Sequence, residues 1–391
     1  MTKVDVIQKP EPTATRWLPL LSHNFRMLLV MGIMPAVSAQ PSSAPLPRIV
    51  LTLTLGSFLL FPTLFQPALD GLYAYLQRSS IYTSSTFETW WTVILYAWIE
   101  SWYIYVFSRR PDLRLAVQKE QDATKPLPEM TEPRHRLREG LTYITPLLLM
   151  DLTMIKKFAG VPVQDMARSG NYHITTTLPS SSYSFSASND TTLTTPSIPS
   201  TYLSPTLHNF TLSSPLQTRR ALPPSAPTTR QLVLQLTLAF LIYDSLFFLF
   251  HLSLHKLPLP ALTRIHRPHH SHAEIHPQVT NQLDVVERLG LVMLANFSLN
   301  VVRAHVLTRT VFVVVFVWLL VEIHCGMDLM WGYDKILPRG WASGSRGHSK
   351  HHRNGEGHYE PFFCWWDGVY VLLERLWKKR RGRIRRAAKA R

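Results

Sequence analysis

Apolar residues in this chain come in blocks, separated by stretches rich in proline and charge. Residues 49–66, 89–107 (TWWTVILYAWIESWYIYVF) and 231–250 (QLVLQLTLAFLIYDSLFFLF) are each close to the length that crosses a bilayer core, about 20 residues of helix. The second has aromatics at both ends, where amphipathic rings anchor a span at the interface. Residues 27–39 are shorter and are interrupted by Pro35, which suits an interfacial segment. Residues 141–155 are marginal in length and are closed by Lys156 and Lys157. Residues 285–302 and 305–323 are joined by almost no loop, so they are two short spans or a hairpin entering from one face. The pattern predicts an all-α fold, a polytopic integral membrane helical bundle.

The blocks divide the chain into five parts. Residues 1–48 form an N-terminal tail with the interfacial segment, and 49–161 a first membrane region. Residues 162–230 are a Ser/Thr/Pro-rich loop whose composition predicts disorder. Residues 231–377 form a second apolar region that also holds most of the histidines, followed by a basic tail over 378–391. The Ser/Thr/Pro-rich loop holds two glycosylation acceptors, Asn189 in Asn-Asp-Thr and Asn209 in Asn-Phe-Thr.

The formal net charge of +16 at first suggests nucleic acid. Its distribution argues otherwise, because eight Lys or Arg fall in residues 108–140 and nine follow Trp377. Basic clusters beside hydrophobic spans mark cytosolic loops, and the expected partners are membrane and lipid, with no nucleic acid. Counting crossings from a cytosolic 108–140 puts 162–230 in the lumen and returns 231–250 to the cytosol. The two cysteines, Cys325 and Cys364, provide neither a disulfide framework nor a CxxC site.

Thirteen of the seventeen histidines lie between His251 and His358. His251 and His255 are an i, i+4 pair, on one face of a helix. His266, His269 and His270 form an HxxHH set, and His348, His351 and His352 form another. Each set is expected to present one face, giving eight imidazoles, about what two metal ions need; His324 makes nine. Neutral imidazole can sit at a membrane boundary without the desolvation cost of a charge, and it suits iron and zinc alike. Acids that orient the rings are expected nearby: Asp244, two helical turns before His251, and Glu322 and Asp328, which flank His324. The roles of His272, His276 and His358 are left open.

In the order and spacing of these sets, residues 231–377 resemble the fatty acid hydroxylase / sterol desaturase superfamily. Two further stretches are similar to its sphinganine 4-hydroxylase and sterol-modifying branch. They are Glu322-Ile-His324-Cys-Gly-Met-Asp-Leu-Met-Trp331 and Glu360-Pro-Phe-Phe-Cys-Trp-Trp-Asp367. The segment after His270 is shorter than in that branch, and the first pair lacks the arginine that commonly follows its leading histidine. The resemblance implies a cytosolic-face centre of two iron ions, with zinc possible on isolation. It further implies oxygen-dependent hydroxylation or desaturation of a lipophilic substrate such as a sphingoid base, sterol or fatty acyl chain, in the endoplasmic reticulum. With no GxGxxG motif and no fused haem or flavin module, electrons are expected from an external cytochrome b5 or reductase. The competing reading is a zinc-dependent membrane hydrolase or transporter without redox chemistry.

Overall fold

The computed structural model describes residues 45–116, 136–153, 160–170, 172–177, 200–205, 219–272 and 274–389. The interfacial segment at 27–39 and both glycosylation acceptors, Asn189 and Asn209, lie outside the described residues. Apart from one pair of strands the described fold is helical, as expected.

The expected span at 49–66 is two helices, α1 (Pro45–Leu60) and α2 (Pro62–Arg78), bent by 88°. Pro62 is the cause: it has no N–H to donate, and it keeps Phe61 out of helical geometry (φ −122°, ψ 54°). After a single turn, α3 (Ser80–Thr83), comes α4 (Phe87–Arg109), which contains the expected span at 89–107. Its Trp90, Ile94, Trp98, Trp102 and Tyr105 form an exposed stripe at helical spacing. The described part of the marginal segment at 141–155, residues 141–153, lies in α5 (Arg136–Thr153).

Residues 162–230, expected to lack regular structure, contain α6 (Val163–Arg168) and an antiparallel pair, β1 (Tyr172–Thr177) and β2 (Ser200–Pro205). Tyr172 lies opposite Pro205 and Thr177 opposite Ser200. Runs of Thr, Ile and Tyr suit extended chain locally even where the overall composition is poor in core formers.

The second half builds the bundle. Helix α7 (Thr229–Lys256) starts at Thr228, whose side chain accepts from the Gln231 N–H, and stops at Leu257 before Pro258. A short α8 (Pro260–His266) and two 3₁₀ turns (His269–Ser271 and Pro277–Asn281) lead to α9 (Val285–Val301), capped by Asp284. Then α10 (Val306–His324), capped by His305, runs back antiparallel. The segments at 285–302 and 305–323 are therefore an antiparallel pair of helices joined by a tight turn. The chain ends in α11 (Tyr333–Ile336), α12 (Gly344–Asn354) and α13 (Trp365–Lys389). The basic tail continues α13 without a break through Lys389.

By length and composition α7 and α10 can cross a membrane, and the bent α1–α2 pair would be a third span. Helix α4 carries Glu88 and Glu100 and falls short of that composition. Among the described residues, α4, α5, α7, α9 and α10 all contribute to the wall of the interior. Leu95, Ile99, Tyr103 and Val106 of α4 pack on Val317 and Val321 of α10. Between lipid-facing helices, close packing and hydrogen bonds do most of the holding, since lipid is as apolar as leucine. Gln235 of α7 shows this: its amide donates to the Arg303 carbonyl and accepts from His305 N–H and Thr308 Oγ1, tying α7 to the α9–α10 turn.

Candidate metal centre

All nine candidate histidines meet at one end of the bundle, where α7 and α10 finish. They fall into two groups: His251, His255, His266, His270 and His351, then His269, His324, His348 and His352. Within each group one nitrogen of every ring lies within 4.8 Å of the others. The groups do not follow the motifs. Each HxxHH set sends one or two rings to each group, because adjacent helical residues point about 100° apart. Thus His348 and His352, an i, i+4 pair on α12, serve the second group, while His351 between them turns to the first.

The ring orientations are set from behind. The Nδ1–H of His251 donates to the Tyr359 carbonyl (2.8 Å), that of His351 to Gly357 (2.7 Å) and that of His324 to Leu320 (2.7 Å). His266 Nδ1 is 2.8 Å from the carboxylate of Glu287, which is 3% exposed. A carbonyl or carboxylate only accepts, so these rings carry their proton on Nδ1 and turn bare Nε2 lone pairs inward. Those lone pairs face each other: His251 Nε2 is 3.1 Å from His266 Nε2 and 3.2 Å from His351 Nε2. In the second group His324 Nε2 is 3.3 Å from His269 and 2.9 Å from His348.

Opposed lone pairs at such distances repel unless a cation lies between them. With metal–nitrogen bonds of about 2.1 Å, neighbouring ligands in tetrahedral or octahedral spheres stand about 3.0–3.4 Å apart. The observed spacings fit that range. Burial first, then the neighbouring rings, push His269, His348 and His352 well below the usual imidazole pKa; the same causes take His351 to about 2. Burial and His266 lower His270 to about 4. These rings are neutral near pH 7, the form a metal requires.

The acids expected to orient the rings are elsewhere. Asp244 accepts from the Phe362 and Phe363 N–H groups (3.0 and 3.2 Å). Glu322 accepts from Tyr333 N–H (2.6 Å), Trp318 Nε1–H (2.8 Å) and Tyr103 OH (3.0 Å). Asp328 pairs with Arg346 (2.5 Å) and Lys335 (3.0 Å). All three fasten the loops around the centre. Helical spacing put Asp244 on the same face as His251, but seven residues leave it about 10 Å short of the rings. The loop it holds presents the Tyr359 carbonyl to His251, with Asp367 accepting from the Tyr359 and Glu360 N–H groups (2.9 and 3.2 Å). Burial and the charge of Asp244 push the Glu360 carboxyl in this loop up to about 10.

Glu287, which sequence reasoning missed, is a carboxylate in direct contact with one of the rings, His266. The available signal was an acid and an arginine side by side, Glu287-Arg288, in an otherwise apolar segment. His272 and His276 contact each other (ring centroids 5.6 Å) and join neither group; His358 faces Ser343 Oγ at 3.2 Å.

Two rings of the first group, His251 and His266, and three of the second, His269, His324 and His348, line a cavity of about 810 Å³. Its walls are largely apolar and include Phe247, Leu291, Phe316, Leu320 and Ile323.

Fold and site together define a helical membrane-type bundle with paired histidine centres opening onto an apolar cavity. Residues 236–370 match the fatty acid hydroxylase family model. The matching relatives modify sterols. Cholesterol 25-hydroxylase of Rattus norvegicus is 34% identical over 152 residues, 39% of this chain and 51% of the relative. A cholesterol 25-hydroxylase-like protein of Danio rerio is 31% identical over 148 residues (38% and 59%). A methylsterol monooxygenase of Aspergillus fumigatus is 30% identical over 173 residues (41% and 55%). The chain thus spans little more than half the length of these curated relatives. No solved structure matches it significantly.

Proposed function

We propose that this chain is a membrane-bound oxidoreductase that holds one iron ion in each histidine group and oxidises a lipophilic substrate with molecular oxygen. The observation that carries the reading is the junction of an apolar cavity with inward-facing imidazole lone pairs. Bound iron would supply the power to break an unactivated C–H bond. Hydroxylation consumes one O₂, two electrons and two protons: one oxygen atom enters the C–H bond and the other leaves as water. The nine histidines are the ligands in this reading, and the Tyr359, Gly357 and Leu320 carbonyls with Glu287 lock their tautomers. Phe247, Phe316 and Leu320 keep water from the cavity and position hydrocarbon.

The relatives make a sterol the first substrate to test. The electrons would come from a cytochrome b5 or reductase docking at the histidine end of the bundle. The charge distribution supports placing that end in the cytosol, with the protein in the endoplasmic reticulum membrane. The test is metal analysis of the full chain purified in detergent, followed by an oxygen-consumption assay with sterols and an electron donor. Two iron ions per chain and sterol-dependent oxygen uptake are expected. Stoichiometric zinc, with no iron-dependent oxidation of any lipid, would overturn the proposal.

A further inference from the structure

The cavity has two chemically different ends. Helices α9 and α10 both line it, and both carry polar groups at the end away from the histidines. Arg309 lies 15 positions before His324 on α10, about 22 Å along a helix rising 1.5 Å per residue. Its guanidinium donates to Asn296 Oδ1 (2.5 Å) and Asn300 Oδ1 (3.3 Å) and lies 3.8 Å from Glu88. All four of these residues line the cavity, with Arg303 beside them. Arg309 is buried, whereas Asn300 and Arg303 are exposed, so the polar cluster forms a mouth. Between it and the rings the wall is Ala295, Phe312, Phe316 and Leu320. On α9, Met293 and Phe297 both line the cavity and stand 51% and 55% exposed, a side opening suited to lipid.

A polar mouth, an apolar channel and a reactive far end impose an orientation. We infer that the Arg303/Arg309/Asn300 end is a head-group subsite for an amphiphile with a hydrogen-bond-accepting oxygen. Its hydrocarbon runs toward the histidines, so that oxidation falls on a carbon remote from the head group. The inference rests on the oxidoreductase reading for the reaction, but the head-group subsite stands on the cavity alone. Discrimination follows because an analogue without the oxygen would set hydrocarbon against the polar groups of the mouth. Arg288 gives the histidine end a cation too, but its guanidinium donates to the Asn281 carbonyl (2.6 Å) and stacks on Tyr143 (5.0 Å). Hydroxyl and carboxylate head groups share the required acceptor chemistry.

Full-length protein in nanodiscs tests this with two probe pairs, tritiated cholesterol against 5-cholestene and octadecanoic acid against octadecane. An oxygen-bearing member should bind roughly 10-fold tighter or more than its oxygen-free partner. A sterol-only preference would identify the head group as a hydroxyl, an acid-only preference as a carboxylate. The exposed-mouth variant N300L/R303L should bring the pair toward parity, with circular dichroism and metal content unchanged. Where turnover is obtained, mass spectrometry should place the new oxygen in the half of the molecule away from the original one. Equal binding within both pairs, or oxidation beside the head group, would overturn the inference. Preferential binding without any oxidation would support the subsite while removing the oxidoreductase reading.

Discussion

Replacing Glu287 tests the least obvious feature of the centre. Its carboxylate is 2.8 Å from His266 Nδ1, and His266 Nε2 in turn faces both His251 (3.1 Å) and His255 (3.0 Å). Glu287→Gln keeps an acceptor for the Nδ1–H and removes the charge. A charge-assisted hydrogen bond contributes about 1.5–3 kcal/mol and a neutral one about 0.5–1.5 kcal/mol, so the loss is about 1–1.5 kcal/mol. That corresponds to roughly 10-fold in metal affinity. Glu287→Leu also frees the ring to flip its tautomer, and the loss should approach 100-fold, the upper end for groups behind a metal ligand. The assay is competition with a graded series of chelators, read by metal content per chain. The hydrogen bond of Glu287 goes to His266 of the first group, so the second group, His269, His324, His348 and His352, serves as the internal reference. Expected is selective loss from the first group, with Leu worse than Gln. Wild-type retention by the Leu variant, or equal loss from both groups, would refute the reasoning.

Four other outcomes follow from the same geometry. His255→Ala and His348→Ala, one from each group, should each lower metal content from two ions per chain toward one, as elemental analysis would show. Asp244→Ala strands two backbone N–H groups at about 1–3 kcal/mol each, so thermal stability should fall clearly while Asp244→Asn, which keeps an acceptor, falls little. Gly326→Ala should destabilise by about 2 kcal/mol or more, since Gly326 has φ +68° and an added Cβ would lie 2.1 Å from the Ile275 carbonyl oxygen. In metal-stripped protein, burial holds His270 and His276 down to about 4. The unfolded chain binds more protons than the folded one between its own imidazole pKa, about 6.5, and those values. Stability should therefore fall as pH drops through that window, and a melting temperature that rose on acidification would contradict the assignment.

Much of the architecture was legible because bilayer length, helical period and proline each leave a plain mark. The short join between α9 and α10 foretold an antiparallel pair, while segments of 17 and 19 residues suit two spans and a hairpin from one face alike. The break at Pro62 was readable in principle, but an apolar run that continues through it looks like one span. The strands β1 and β2 were hidden by composition, which reports on core formation and says little about a local ladder between distant segments.

The centre shows a sharper division. Histidine spacing brought out nine candidates that the fold gathers at one end, but it said nothing of how they divide into two groups. A motif is a unit of sequence, and adjacent histidines on one turn point far enough apart to join different groups. The supporting acids were misplaced for a related reason. Proximity in sequence or helical phase was used as a guide, yet Asp244, Glu322 and Asp328 are close to the rings only in that sense and spend their oxygens on loops. Three of the groups that orient the rings are backbone carbonyls, which carry no side-chain signature at all. The stretch from Glu360 to Asp367 gains its meaning here. Its acids and backbone N–H groups, with Asp244, hold the loop whose Tyr359 carbonyl sets the tautomer of His251, so a motif with no ligand in it still governs the centre.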